Sequence, residues 1–290
     1  MAKFYSGLSV ADVYDEVMGD LINAEVSSPR GMKTKELLNV SFEIGNPRNR
    51  LIYHPERGFN VSFGLAELVS CLTGVNTVNF LSKFNSNIGQ FSDNDVVMYG
   101  NYGIRITKYL KQIIQKLKDN PETRQANITI YNTEDSFIGT KDVPCTVSMD
   151  FKVRDNKLYM HTFMRSNDLI WGFQYDVFFF TLIQEIIANE LNVELGSYNH
   201  TATSFHVYER HFDLIEEMYE TGIELVKMPK SEYLVEDIED IANKIFDFDK
   251  TPNLTGNDFL DVLKVYYHQK HSNTKYDLSS FPNWARYYLE

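Results

Sequence analysis

Apolar residues recur along the chain with two periods, and stretches of each alternate. Val10, Val13, Val17 and Leu21 recur at helical spacing behind Ser9, which has Asp12 three residues on. The N-terminal stretch MAKFYSGLSVADVYDEV therefore reads as the start of an amphipathic helix. After a loop with a basic bias at 27–36 (SSPRGMKTKE), Leu38, Val40, Phe42 and Ile44 alternate with Asn39, Ser41 and Glu43, a strand signature. Val61 to Leu72 is helical, with Glu67 inside it, and residues 85–95 form a polar loop leading to Tyr99-Gly100 and Tyr102-Gly103. Ile106, Leu110, Ile113, Ile114 and Leu117 mark a helix closed at Asn120-Pro121, and Ile128 and Ile130 indicate a strand. Val147, Met149, Phe151 and Val153 alternate, and Asp155-Asn156 turns that strand into Leu158–Phe163. Val177 to Leu191 is apolar on nearly all sides and predicts a central buried helix. A strand over Ser197–Phe205 and a helix through Phe212, Ile215 and Tyr219 follow. The rest carries more charge, with helices expected near 234–246 and 257–267, a polar stretch HSNTKYDLSS and an aromatic tail. With no repeat and no linker, the pattern predicts one α+β domain over residues 1–290, its C-terminal portion diverging from about 222.

Composition narrows the function. A chain of 290 residues that is 43% hydrophobic, with 18 Tyr and 20 Phe, can bury a large core and is not disordered. A net charge of -12 argues against duplex nucleic acid or an anionic membrane as the main partner. A small phosphorylated ligand held by a few local arginines is compatible with that balance. The two cysteines, Cys71 and Cys145, allow one disulfide. The N-terminus lacks the apolar core of a secretory signal, and no run is long enough to cross a bilayer, so the expectation is a reduced cytoplasmic protein, in the host cytoplasm if viral.

Chemistry concentrates between Val143 and Asp176. Cys145 follows Pro144 and opens an alternating strand, and Arg165-Ser166-Asn167-Asp168 comes a hairpin's length later. A cysteine at a strand start is ordinarily an inert buried thiol, which is the reading for Cys71 in its helix. Arg165 on the neighbouring strand changes that for Cys145, because a nearby cation favours the thiolate and can also hold an anion. Arg30, Arg124 and Arg165 each lie beside small polar residues, and their planar forks suit phosphate; ordinary surface ion pairs are the alternative. His206 and Tyr208, in SFHVYERH, would project from a strand end toward a sugar hydroxyl. Metal binding by His206 and His211 lacks a carboxylate or cysteine at ligand spacing and is discounted.

Pro144-Cys145, Arg165-Ser166-Asn167-Asp168, Gly172 with Asp176, His200-Thr201 and His206-Val207-Tyr208 together resemble the thymidylate synthase superfamily in order and spacing. The block from Arg165 to Ala188 is similar without a gap to that family's R-S-x-D-x-x-x-G-x-P-F-N segment. Glu67 in GLAELVSCLTG resembles the family's helix glutamate, NPETRQ its phosphate-arginine motif and PRGMKT its N-terminal arginine loop. The resemblance implies an α+β fold, a mixed sheet layered with helices, whose sheet forms a homodimer interface. It implies that Cys145 attacks C6 of a pyrimidine nucleoside monophosphate, so that C5 takes a one-carbon unit from methylenetetrahydrofolate. Arg30, Arg165 and Ser166, beside Asn167, would bind the 5′-phosphate side of the nucleotide, with Arg124 reaching in from the second subunit. His206 and Tyr208 would hold the sugar, Asp168 would contact folate, Glu67 would organise proton transfer, and Tyr102, or else Tyr99, would assist at C5.

Departures from the family pattern carry the substrate argument. Asp176 stands where synthases acting on deoxyuridylate place asparagine. Uracil presents an N3–H donor and an O4 acceptor; cytosine presents an N3 acceptor and an amino donor. A carboxyl sharing a proton with N3 matches cytosine, whereas an ionised carboxyl cannot donate to O4. A helix cap before Val177 is the alternative role. The resemblance then narrows to the branch from bacterial viruses that hydroxymethylates deoxycytidylate. The only tryptophans are Trp171 and Trp284, so the Glu67 helix and the loop after it have none, and the chain ends PNWARYYLE rather than in a short apolar closing segment. Both changes favour water over hydride at the transferred carbon. Gln125 replaces the second arginine of the usual pair, and Thr146 a histidine beside the nucleophile. Reductive methylation of dUMP or dCMP, hydroxymethylation of dUMP, a ribonucleotide substrate and a non-catalytic nucleotide-binding subunit stay open.

Overall fold

In the computed structural model, which describes residues 2–245, 248, 253–272 and 274–290 and not the side chain of Arg30, the elements follow in this order. They are β1 (Lys3–Gly7), α1 (Val10–Ile22), β2 (Val26–Ser27), β3 (Thr34–Ile44), β4 (Leu51–Tyr53), α2 (Val61–Thr73), α3 (Val78–Leu81) and α4 (Gly103–Asp119). Then come β5 (Asn127–Thr129), β6 (Thr146–Arg154), β7 (Lys157–Met164), β8 (Asn167–Asp168), α5 (Gln174–Leu191), β9 (Glu194–Tyr208) and α6 (Phe212–Thr221). The chain closes with β10 (Glu224–Val226), α7 (Val235–Ile245), α8 (Asp258–Ser272) and α9 (Asn283–Leu289). Residue 246, in the first of the expected C-terminal helices, lies outside the described residues. Packing gathers the chain into two compact units, one of residues up to 58, 112–131 and 145–231, the other of residues 59–111, 132–144 and 232–290. The segment expected to diverge from about 222 thus contributes to both.

The first unit is a mixed sheet in the order β1-β3-β9-β7-β6-β5, with β2 on β3 and β8 on β9. β1 runs parallel to β3, and β7 and β8 run parallel to β9. The β6–β7 turn puts Asp155 and Asn156 at φ 50 and 58, the left-handed pair a tight hairpin requires. α1 and α5 pack on one face of the sheet. The expected stripe of α1 is fully buried, and the Ser9–Asp12 capping box is formed. α5 is buried all round, including Phe178, Phe180, Ile183 and Ile187. Its buried Glu185 takes Arg48 Nε at 2.7 Å and also pairs with Arg50. On the other face of the sheet, Ser41, Glu43, His161 and Thr201 are half-buried and Phe163 is exposed.

In the second unit α2, α7 and α8 pack together. Asn60 caps α2, accepting from Phe63 N–H at 2.9 Å, and Gly74 ends it at φ 77. A Cβ on Gly103 would lie 2.0 Å from the Ser70 carbonyl oxygen, so only glycine lets α4 start against α2.

Three expectations change. Residues 3–7 form a strand, not the lead into a helix: they pair in register with Val40–Ile44, and only Tyr5 turns inward, too short a pattern to read as period two. The loop at 27–36 contains β2 and the start of β3. α5 begins at Gln174, behind a π-helical turn over Leu169–Phe173, so Asp176 sits inside its first turn and is not its cap.

Candidate active site

The backbone ladder carries Cys145 and Arg165 to the same end of the sheet. Arg165 N–H donates to the Cys145 carbonyl at 2.9 Å, continuing the β6–β7 pairing beyond its last register pair, Thr146↔Met164. The register shifts between Thr146 and Ser148, a bulge that re-aims the strand next to the thiol. Arg165 Nη2 lies 3.7 Å from Cys145 Sγ, and its guanidinium also faces the Tyr131 ring. A cation at that distance favours the anionic sulfur, the nucleophilic form. Thr203 donates to the Arg165 carbonyl at 2.8 Å and steadies the turn into β8. Cys145 is half-buried and Cys71 buried.

Asp176 is 7% exposed and faces back toward β8, where Asn167 Nδ2 donates to its Oδ2 at 2.7 Å. Its Oδ1 makes no hydrogen bond among the described residues and is left for a ligand. Burial pushes the carboxyl up to about 7, against the pull of the Asn167 bond and with a further push from Asp168. Gly172 makes the approach possible: a Cβ there would stand 2.8 Å from Asn167 Nδ2.

β8 pairs with β9 so that Asp168 lies opposite His206. One Asp168 oxygen accepts from Trp171 N–H; the other, Oδ2, is buried without a hydrogen-bond partner among the described residues, as is His211 Nδ1. Burial raises the Asp168 carboxyl although His206, His211 and Arg210 oppose it. The π-helical turn is held from outside, with Tyr14 donating to the Leu169 carbonyl at 3.0 Å and Arg57 to that of Ile170. The turn presents Trp171, 52% exposed, with the Arg210 guanidinium 3.9 Å from its ring centroid.

Among the other candidates of this unit, Ser166 is half-buried next to Arg165, and the rings of His206 and Tyr208 meet edge to face at the end of β9. Arg124 is exposed on the segment after α4 and makes no ion pair among the described residues. The Arg30 side chain lies outside the described part; its backbone is in a short 3-10 turn. Glu67 and Tyr102 belong to the second unit, on α2 and just before α4. There Tyr99 donates to Asp135 at 2.8 Å, and Arg105 binds the same carboxylate through both terminal nitrogens. That engagement ties Tyr99 to the Asp135–Arg105 pair. Sequence reasoning gave no role to Arg57, Trp171, Arg210 or His211.

The site thus gathers a half-buried thiol beside an arginine, with the buried Asp176 and the half-buried Asp168, at one end of the sheet. Residues 30–273 match the thymidylate synthase family, and the chain belongs to it. Family enzymes are one-carbon transferases that act on pyrimidine nucleoside monophosphates with methylenetetrahydrofolate as co-substrate. The chain is 32% identical over 289 residues to the deoxyuridylate hydroxymethyltransferase of Bacillus phage SP01, covering 91% of this chain and 73% of that protein. Proteins of the same name from Pseudomonas phage M6 and Delftia phage PhiW-14 are 32% and 30% identical, covering 56% and 63% of this chain and 49% and 55% of theirs. The fold is similar to that of thermostable thymidylate synthase A from Bacillus subtilis, with a TM-score of 0.67 at 21% identity over 80% of this chain and 93% of that one. No helix among the described residues is long and apolar enough to cross a membrane.

Proposed function

We propose that the protein hydroxymethylates C5 of a pyrimidine deoxynucleoside monophosphate, with deoxycytidylate as the preferred substrate. Cys145 adds to C6 as its thiolate, its electron pair moving through the ring to make C5 nucleophilic, and Arg165 stands beside the sulfur and holds the phosphate in the complex. C5 bonds to the one-carbon unit and loses its proton, the carbon–nitrogen bonds to the donor break so that tetrahydrofolate departs, and water adds to the transferred carbon as the thiolate leaves C6. When bound, methylenetetrahydrofolate supplies that carbon at the oxidation level of formaldehyde. The orphaned, buried Asp168 Oδ2 fits the amide and amino donors of a pterin, and Trp171 with Arg210 fits an aromatic ring ending in carboxylates. Arg30 and Ser166 at the phosphate, His206 and Tyr208 at the sugar, and Glu67 and Tyr102 in proton transfer keep the roles the family resemblance gives them. The exposed Arg124 and the half-buried outer sheet face support a homodimer in which Arg124 serves the partner's site.

The observation that carries the substrate is Asp176. Burial keeps much of it protonated near neutral pH. A neutral carboxyl could serve either base, so charge alone does not exclude uracil. Cytosine N3 is itself basic and uracil O4 is not, so the shared proton is held more firmly with cytosine. A second reading, hydroxymethylation of deoxyuridylate, is favoured by the names of the three phage relatives.

Incubating the purified protein with methylenetetrahydrofolate and either dCMP or dUMP, then weighing the products, is expected to give 5-hydroxymethyl-dCMP faster, with tetrahydrofolate. A faster reaction of dUMP would establish the second reading, and formation of dTMP with dihydrofolate would overturn hydroxymethylation. Folate binding is expected to quench the emission of Trp171. Asp168→Ala should weaken that binding about 10-fold, the effect of removing one acceptor from a buried donor. Unaltered quenching in the variant would remove Asp168 from the folate site.

A further inference from the structure

Asp176 ends a buried chain of side chains whose contacts no sequence motif announces. Tyr198 and His200 stand two apart on β9, so both turn to the helix-covered face, and both are fully buried. The Tyr198 hydroxyl lies 3.0 Å from His200 Nδ1, and His200 Nε2 lies 3.0 Å from Asn167 Oδ1. Asn167, 3% exposed, then reaches Asp176 Oδ2 at 2.7 Å. Burial pulls His200 down to about 3, so its ring is neutral and carries a single N–H. An amide oxygen only accepts, which puts that hydrogen on Nε2, and Nδ1 must then accept from the Tyr198 hydroxyl. Every donor in the chain points toward Asp176.

We propose that Tyr198 and His200 are positioning residues for base selection: they hold the Asn167 amide with its NH2 end on Asp176 Oδ2, so that Oδ1 alone exchanges a proton with the base. The inference rests on the reading of Asp176 as the residue that meets the base. The amide of Asn167 is nearly symmetric in shape, and only its partners distinguish its two ends. Turned over, it would present an oxygen to Asp176, the carboxyl proton would move to Oδ2, and Oδ1 would become an acceptor facing the base. That reversed pattern no longer donates to cytosine N3. The titratable groups around Asp176 are Asp168 on β8 and Tyr198 and His200 on β9, with His161 beyond His200. Among the described residues, only the His200–Asn167 arm supplies it with a hydrogen bond.

The full-length protein with His200→Phe, which fills the site without an N–H, tests this with two readouts. One is the ratio of dCMP to dUMP affinities. The other is the titration of Asp176 followed by carbon NMR of labelled carboxyls without nucleotide. The dCMP-to-dUMP ratio is expected to fall by about 10-fold, and the Asp176 midpoint to rise, because a buried hydrogen bond to the charged form is lost. His200→Gln, which keeps an N–H directed at Asn167, should restore both. Tyr198→Phe, the mildest change, should move both in the same direction by about 3-fold or less in the ratio. An unmoved ratio and midpoint in folded His200→Phe would overturn the proposal, as would failure of the glutamine to restore them. Asp176→Asn separates the causes. If it alters the ratio and His200→Phe does not, positioning is overturned and base reading stands; if neither does, base reading fails and the proposal with it.

Discussion

Cys145→Ser is expected to reduce product formation by at least about 10³-fold, the scale on which enzymes lose a covalent nucleophile, while nucleotide affinity stays within a few-fold. The reason is geometric and electronic together. Sγ stands 3.7 Å from Arg165 Nη2 in a half-buried position. A serine hydroxyl there is a far weaker acid than a thiol and stays un-ionised at neutral pH. Nucleotide binding rests on the arginine, which the change leaves in place. Release of tritium from C5 of labelled nucleotide measures the step directly, because it requires prior attack at C6. The intact mass of denatured wild-type protein should show a nucleotide adduct that the serine variant lacks. Tritium release at an appreciable rate from the variant would eliminate the covalent route, and its absence from the wild type would reduce the protein to a nucleotide-binding subunit.

Asp176→Asn should move the preference from cytosine toward uracil nucleotides by about 10- to 100-fold, since one mispaired buried polar group costs about 1–3 kcal/mol. The carboxamide offers a fixed donor and a fixed acceptor where the acid shares a mobile proton. Measuring kcat/KM for both nucleotides checks the shift, and an unchanged ratio would leave Asp176 as a packing residue of α5. The same variant has a stability signature. The folded carboxyl is pushed up to about 7, above the unfolded value of about 3.9, so between those values the folded state holds more protons. The associated stability is fully present below about pH 4 and is lost as pH rises through about 7. Asparagine removes this loss. Between pH 5 and 8 the variant should lose less stability than the wild type by on the order of 3 kcal/mol, measured by denaturant unfolding. Equal losses in both proteins would show that Asp176 titrates in the ordinary range.

The residues proposed for base selection and catalysis differ in how well local sequence announces them. Cys145 and Arg165 are legible because a proline, a strand pattern and a hairpin turn determine their spacing, and a two-residue left-handed turn at Asp155-Asn156 leaves little freedom in register. The buried α5 is legible from its continuous apolar run, but its start is not. Gln174 to Asp176 look like a lead-in, and the π-helical turn before them depends on Tyr14 and Arg57, more than a hundred residues upstream. β1 is similarly silent, because a five-residue edge strand with one inward side chain has no period to detect.

Local sequence therefore determined the α+β class, the thiol with its arginine and the two carboxyls at 168 and 176, since each depends on neighbours close along the chain or on one strand's alternation. Tertiary structure alone decided the surroundings of those carboxyls. The burial that holds Asp176 near neutrality comes from α5 packing on the sheet. The donor on its Oδ2 comes from β8, and that donor's orientation from Tyr198 and His200 on β9. A proton's location depends on hydrogen-bond partners brought together from three elements, and no periodicity along one segment encodes such a meeting.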